Sequence, residues 1–466
     1  MTVEGRADSG KPRRKRLFGT DGMRGAAGQP PLDRSTLWAF GSALAEMLRQ
    51  SSVVPRVLIA RDTRESGSEI AATLAAALVS SGARAEMAGV LPTPALALLT
   101  RSDRYQAGVM VSASHNAYRD NGVKVLSSDG FKLADEKELE LEEHIFGGPV
   151  PAPQTLPPVP AEDTQRHETL YLEQALDRLG TRVDLKGLRV VLDCAQGAAY
   201  RLAPKVFAAL GAEVHAIHCE PDGRNINRDC GSLYPEALAR QVTSRGADLG
   251  IAFDGDADRA LVVDERGRLL DGDFLLWRSA LDLKARGELV NSTVVATVMS
   301  NLWLEEALRR EGVALLRARV GDKYVLEEMQ RCGAVLGGEQ SGHIIYLNHS
   351  TTGDGILTGV RLADSLRRAR VRLSEWAAGF EPCPQILLNV PVRSKPDLGS
   401  HPVIGSAIRQ AEGELGERGR LLVRYSGTEA LARVMVEGFE ERQVHRVARA
   451  IADVIGREVG VGSGKA

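Results

Sequence analysis

Leu249-Gly-Ile-Ala-Phe253 runs without a break into Asp254-Gly-Asp-Ala-Asp258-Arg259, an apolar stretch of strand length that empties into an acidic loop. Two more apolar runs lie upstream, Arg189-Val-Val-Leu-Asp193 and Gly211-Ala-Glu-Val-His215, joined by an Ala/Leu-rich stretch that can be read at helical spacing. Strand, helix and strand, then a third strand ending in a polar loop, make one unit. The layout occurs twice more. On the N-terminal side, Arg56-Val-Leu-Ile-Ala60, Gly82-Ala-Arg-Ala-Glu86 and Gly108-Val-Met-Val111 lead into Ser112-Ala-Ser-His-Asn116. On the C-terminal side, Thr293-Val-Val-Ala-Thr297, Gly312-Val-Ala-Leu-Leu316 and Ala334-Val-Leu336 lead into Gly337-Gly-Glu-Gln-Ser-Gly-His343. Alternating strands and helices predict mostly parallel or mixed sheets with right-handed crossovers, and ligands on such sheets bind beyond the carboxyl ends of strands. The three polar loops occupy that position.

The rest of the chain fits around this repeat. Pro149 to Pro160 is Pro-rich and lacks apolar periodicity, which predicts a linker. From about Pro382 the pattern changes to alternating runs, Ile386-Leu-Leu-Asn-Val-Pro-Val392 and Arg433-Val-Met-Val-Glu437, with a helix near Gln443 to Arg457 and a polar loop at Arg424-Tyr-Ser-Gly-Thr-Glu429. The expected architecture is therefore α/β: three similar domains, residues 17–160, 161–267 and 268–381, then a smaller α+β domain, residues 382–466. Residues 1–16, ending in Lys11-Pro-Arg-Arg-Lys-Arg16, are expected to be a disordered basic tail.

Composition narrows the function classes. With 466 residues about three domains are expected, and 59 Lys+Arg against 61 Asp+Glu leave a net charge of −2, so neither nucleic acid nor a membrane surface is an expected partner. No apolar run approaches the roughly 18 residues of a membrane span. The five cysteines are scattered and never spaced as CxxC, which argues against a disulfide framework or a zinc cluster and for a reducing cytoplasm.

Each loop suggests its own chemistry. Asp254, Asp256 and Asp258 alternate with residues small enough to let the chain curl, so three carboxylates can converge on one hard cation such as Mg²⁺; an aspartyl nucleophile is the alternative use of such a loop. Ser114 beside His115, with Lys124 downstream, is no hydrolase elbow; one serine can instead carry a phosphate next to a metal ion. Glu339, Ser341 and His343 set a carboxylate, a hydroxyl and an imidazole on a Gly-flanked loop, suited to vicinal sugar hydroxyls. Arg424, Ser426, Gly427 and Thr428 suit a dianionic phosphate.

Together these loops make the chain resemble the α-D-phosphohexomutases over about residues 17 to 460. In that family four domains surround one cleft and each contributes a loop. Ser114 matches the serine that is phosphorylated. Asp254, Asp256 and Asp258 match the ligands of one Mg²⁺ per chain, to which the Ser114 oxygen is added. Glu339, Ser341 and His343 match the sugar loop, and Arg424, Ser426, Gly427 and Thr428 the loop gripping the phosphate that does not react; Arg259 and Arg433 are grouped with these substrate contacts. Phe18-Gly-Thr-Asp-Gly-Met-Arg24-Gly matches the opening motif, with Arg24 near the reacting phosphate, and Lys124 and His115 match proton-transfer candidates. Val298-Met-Ser-Asn-Leu-Trp-Leu-Glu305, Asn225-Ile-Asn-Arg-Asp-Cys-Gly231 and Gly353-Asp-Gly-Ile-Leu-Thr358 are similar to the amino-sugar branch. Ala117 and Ala430 stand where Pro is usual, Trp303 replaces a small residue, and Leu233-Tyr234 replace a Thr-His pair.

The resemblance implies a cytoplasmic isomerase that moves phosphate between the 6- and 1-oxygens of glucosamine, passing through glucosamine 1,6-bisphosphate and feeding cell-wall amino-sugar synthesis. A homodimer is compatible with it. The rival expectations are a mannose or glucose phosphate mutase of the same family, a phosphatase using Asp254 as nucleophile, and a sugar-phosphate sensor without turnover.

Overall fold

The computed structural model describes residues 15–19, 21–147, 151–180, 183–426 and 430–461. They fall into two compact units, residues 1–298 with 316–377, and residues 299–315 with 378–466.

The first sheet contains β1 (Met23–Ala26), β2 (Arg56–Arg61), β3 (Arg84–Val90), β4 (Ala107–Val111) and β5 (Asp120–Ser127), in the order β1-β5-β4-β2-β3. The second contains β6 (Arg189–Asp193), β7 (Glu213–Ile217), β8 (Leu249–Phe253), β9 (Ala260–Asp264) and β10 (Leu269–Leu270), in the order β10-β9-β8-β6-β7. The third orders β11 (Thr293–Thr297), β12 (Ala314–Ala318), β13 (Leu336–Gly338) and β14 (Ile344–Tyr346) as β12-β11-β13-β14. One topology underlies all three: the second run beside the first, the first beside the third, and an antiparallel return strand (β5, β9, β14) beyond it. The crossovers β2/β4, β6/β8 and β11/β13 are parallel, as alternating strands and helices require.

Several apolar runs coincide with strands to the residue, but in each repeat the strand of the second run, which opens with glycine, starts two residues late. Gly82, Gly211 and Gly312 have φ of 86°, 94° and 66° and belong to the turn after the preceding helix, not to β3, β7 or β12. A left-handed residue ends a helix, and glycine adopts that conformation without a Cβ clash.

The first sheet's core joins Val57 and Ile59 of β2 and Val109 and Val111 of β4 to Phe40 and Leu44 of the helix Arg34–Arg49, Leu74 and Leu78 of the helix Gly67–Ser80, and Leu141 and Ile145 of the helix Asp135–Gly147. Each fully buried aliphatic side chain there contributes about 1.5–3 kcal/mol. The Pro-rich linker, described from residue 151, packs Ala152, Leu156 and Val159 against Trp38, Ala76 and Ala77. The basic segment departs from expectation at its end. Lys15 Nζ reaches Asp135 and Glu138, and Glu142 accepts the backbone N–H groups of Arg16, Leu17 and Phe18, so these residues are docked; residues 1–14 lie outside the described part.

The second unit carries an antiparallel sheet of β15 (Gln385–Pro391), β16 (Gly419–Tyr425) and β17 (Leu431–Gly438), in the order β15-β17-β16. Val434 and Val436 pack against Val444, Val447, Ile451 and Ile455, which share one face of the helix Glu441–Val459 by their spacing of three and four. The helix Leu302–Arg310 belongs to this unit. Asn301 Oδ1 accepts both Trp303 N and Cys383 N at 2.9 Å, and the Trp303 ring meets Phe380 edge to face at 4.8 Å. Trp303 is thus a packing residue. Among the described residues no helix is long and apolar enough to cross a membrane.

Candidate active site

β8 is buried at every position, so its carboxyl end delivers Asp254 into the interior instead of to solvent. Asp254, Asp256 and Asp258 are all buried, and each offers an oxygen within 4.8 Å of the others. Gly255 makes this approach feasible: a Cβ there would lie 2.4 Å from Ser114 O. Asp256 Oδ2 accepts Thr93 Oγ1 at 2.6 Å and Lys124 Nζ at 2.9 Å. Asp256 Oδ1 and Asp258 Oδ1 are buried without a hydrogen-bond donor. Burial and the neighbouring Asp258 and Asp256 charges push the Asp254 carboxyl well above its usual range. Burial acts in the same sense on Asp258, but Lys124 and His343 outweigh it and hold that group well below. An all-oxygen set of crowded carboxylates with orphaned acceptor atoms fits a hard divalent cation.

Ser114 lies against this triad. Its Oγ donates to Asp254 Oδ2 at 2.5 Å and stands 3.3 Å from His115 Nδ1. The serine has φ 52°, a left-handed conformation that costs a residue with a Cβ on the order of 1 kcal/mol or more and persists only where the surroundings enforce it. Here the enforcing group is Arg64, which the sequence reading did not single out. Its buried guanidinium donates to Asp62 Oδ2 (2.9 Å), Ser114 O (2.9 Å), Asn116 O (2.8 Å), Asp120 O (2.9 Å) and Ala117 O. Asp62 also accepts Ser112 Oγ at 2.6 Å, and that hydroxyl accepts Ser114 N at 2.9 Å. Asn227 Nδ2 adds a further bond to Ser114 O at 2.9 Å. The bond from Arg64 to Ala117 O holds the loop at that residue. Both Asp62 and Arg64 follow the carboxyl end of β2, so strand-end position alone would have flagged them.

Cations surround the serine and the triad. Lys124, on β5, is buried and lies 2.9 Å from Asp256, 3.1 Å from Asp21 and 3.6 Å from Asp258; burial opposes its charge, but these carboxylates hold it well above the usual lysine range. Arg24 on β1 bonds Asp21 and, at 3.4 Å, Ala113 O. Arg259 N donates to Asp254 Oδ1 at 3.2 Å, and its guanidinium lies 3.8 Å from Asp258. Burial, then Arg259 and Arg24, pushes the His115 imidazole down to about 4, so it is neutral near pH 7.

The third loop reaches the same place. Glu339 Oε2 accepts Ser341 Oγ at 3.1 Å and Oε1 accepts Gly321 N at 3.2 Å. His343 is buried between Asp258 (3.6 Å) and Asp322 (3.5 Å), and its Nε2 accepts Gly353 N at 2.9 Å. It therefore faces carboxylates and backbone, not solvent. Lys132, also absent from the sequence reading, is buried between Asp21 and Asp322 and ties the first domain to the third.

In the other unit, Arg424 of β16 sits directly opposite Arg433 of β17, and Lys395 Nζ donates to Ser426 O at 2.7 Å. Burial and Arg433 lower the Arg424 pKa. Like charges placed directly opposite destabilise a sheet, a cost that a bound anion offsets. Gly427 and Thr428 lie outside the described residues.

Residues 15–149, 169–267 and 271–383 match the phosphoglucomutase/phosphomannomutase alpha/beta/alpha domains I, II and III, and residues 387–454 match the C-terminal domain of the same family. The phosphoglucosamine mutase of Solibacter usitatus is 51% identical over 449 residues, covering 96% of this chain and 99% of its own. A phosphoglucomutase/phosphomannomutase family protein from Burkholderia thailandensis superposes with a TM-score of 0.78 at 23% identity, covering 96% of this chain and 99% of its own. An Aspergillus fumigatus N-acetylphosphoglucosamine mutase, solved in complex with GlcNAc-6P and magnesium, superposes with a TM-score of 0.65 at 19% identity, covering 95% and 96%. With all four domains matched in order and half of the residues shared with a full-length relative, the chain belongs to the phosphoglucomutase/phosphomannomutase family and is an isomerase of the phosphohexomutase class.

Proposed function

We infer that the protein interconverts glucosamine 6-phosphate and glucosamine 1-phosphate. The observation that carries the reading is Ser114 Oγ, buried and 2.5 Å from a carboxylate of a triad suited to a hard cation. A hydroxyl held there, once phosphorylated, has its phosphate beside both the cation site and the cationic side chains.

The reaction has two balanced halves. A sugar hydroxyl oxygen attacks phosphorus of phospho-Ser114, the P–Oγ bond breaks, and the product is glucosamine 1,6-bisphosphate with Ser114 carrying the released electron pair. The bisphosphate turns end for end, Ser114 Oγ attacks the other phosphorus, and the sugar oxygen leaves. The His115 ring, 3.3 Å from Ser114 Oγ, is placed to take the attacking hydroxyl's proton and return it to the departing oxygen. Lys124, Arg24 and Arg259 stabilise charge on the phosphoryl group in flight. Mg²⁺, when held by Asp254, Asp256, Asp258 and a Ser114-linked oxygen, supplies further neutralisation of that charge. Glu339 and Ser341 accept sugar hydroxyls, and Arg424, Arg433 and Ser426 grip the phosphate that is not reacting. That grip must accept either end of the sugar, which is what a two-arginine anion site without base-like geometry does.

A direct assay separates the readings. The protein should interconvert the two glucosamine phosphates with no net release of inorganic phosphate. Stoichiometric release would favour the phosphatase, absence of both the sensor, and equal or better efficiency on mannose phosphate the other branch.

A further inference from the structure

One of the scattered cysteines, Cys230, acquires ligand-type neighbours in the fold. β6 and β7 are adjacent parallel strands, and the loops leaving their carboxyl ends meet the segment before Gly231. One carboxylate oxygen of Asp193, one ring nitrogen of His218 and the Sγ of Cys230 lie within 4.8 Å of one another. Asp193 and Cys230 are buried, while His218 keeps part of its ring open to solvent. His218 Nδ1 is 3.0 Å from Asp193 Oδ1, an ion-pair distance. Nitrogen and oxygen stand side by side with the thiol within 4.8 Å, as ligand atoms of one ion do.

The carboxylate is held for that purpose. Ala195 N donates to Asp193 Oδ1 at 2.9 Å and Gly231 N to Oδ2 at 3.0 Å, the kind of outer hydrogen bonding that fixes a ligand's orientation. One nitrogen, one sulfur and one oxygen form a donor set that suits Zn²⁺ and not Mg²⁺, which takes oxygen ligands.

We propose that Asp193, His218 and Cys230 form a second metal site, separate from the aspartate triad, for a borderline-soft divalent cation of the Zn²⁺ class. The role is to brace the active-site loops from behind. Ala198 N donates to Gly255 O at 2.8 Å, and Asn227, whose N–H donates to Ala195 O at 2.9 Å, bonds Ser114 O through its side chain. An ion joining the ends of β6 and β7 to Cys230 would tie these contacts together.

Cobalt(II) is the probe, added to full-length metal-stripped protein in excess Mg²⁺. The expected result is one Co²⁺ per chain with a thiolate-to-cobalt charge-transfer band that Cys230→Ser abolishes and Asp256→Asn retains. His218→Gln, at a partly exposed position, should weaken Co²⁺ binding by about 10–100-fold and shift the ligand-field bands, which keeps the test decisive if the cysteine variant fails to fold. No thiolate band in the wild-type protein, a band that persists in Cys230→Ser, or unchanged affinity in His218→Gln would overturn the assignment.

Discussion

The second sheet carries two clusters of ligand-type side chains, both at carboxyl ends of its strands, and they differ in donor chemistry and in origin. Asp254, Asp256 and Asp258 come from one loop of five residues, supply only oxygen, and touch Ser114 and Lys124. Asp193, His218 and Cys230 come from three separate segments, mix oxygen, nitrogen and sulfur, and touch backbone that supports those loops. The first set would supply hard-cation chemistry beside Ser114, and the second would only hold geometry. One sheet can thus bring together two donor sets that select different classes of metal ion.

The comparison breaks first at the serine. Ser114→Ala removes the only oxygen the account allows to carry phosphate, so turnover should fall by about 10⁴-fold or more, measured as conversion of glucosamine 6-phosphate. Asp256→Asn removes one anionic ligand and the partner of Lys124. Turnover should fall by about 10²–10³-fold with weakened Mg²⁺ affinity, while the cobalt band at Cys230 stays; loss of that band would merge the two sites into one. Arg424→Ala should raise KM for both substrates by about 10–100-fold and leave Ser114 phosphorylated, since it acts by binding alone. Arg64→Ala leaves the buried Asp62 carboxylate without its guanidinium and should cost about 3–5 kcal/mol in denaturant unfolding. Arg64→Lys, which keeps the charge but not the fork of donors, should recover part of the stability and little of kcat.

How much of this was legible in the sequence follows from where the information sits along the chain. The runs at Arg189–Asp193, Leu249–Phe253 and Thr293–Thr297 are strands to the residue because each has a short apolar centre bounded by turns. The late starts of β3, β7 and β12 were not, because an apolar run opening with Gly looks continuous while Gly82, Gly211 and Gly312 belong to left-handed turns. The return strand β5 carries Lys124, which spacing alone could mark only as lying past Ser114; Val123, Lys124 and Val125 are brought to the site by antiparallel pairing with β4. The aspartate triad was legible because local spacing sets it. Lys132 and the Asp193 cluster were not, since their partners are 111 or 190 residues away, or arrive from three loops; Arg64 is marked by its place after β2, but its contacts with a loop 50 residues away are not. The absence of a CxxC spacing argued against a cysteine metal cluster for the same reason: spacing reports on local sites only.

The central claim is that Ser114 carries phosphate between the two half-reactions. It is tested most directly by exposing the purified protein to glucosamine 1,6-bisphosphate and locating any covalent phosphate by intact mass and peptide mapping, before and after hydroxylamine. One phosphate per chain is expected on the peptide containing Ser114, resistant to hydroxylamine as a serine ester is, and none on Ser114→Ala, which should also be inactive. A hydroxylamine-labile phosphate on the Asp254 peptide, with Ser114→Ala still active, would contradict it and assign the covalent step to the aspartate.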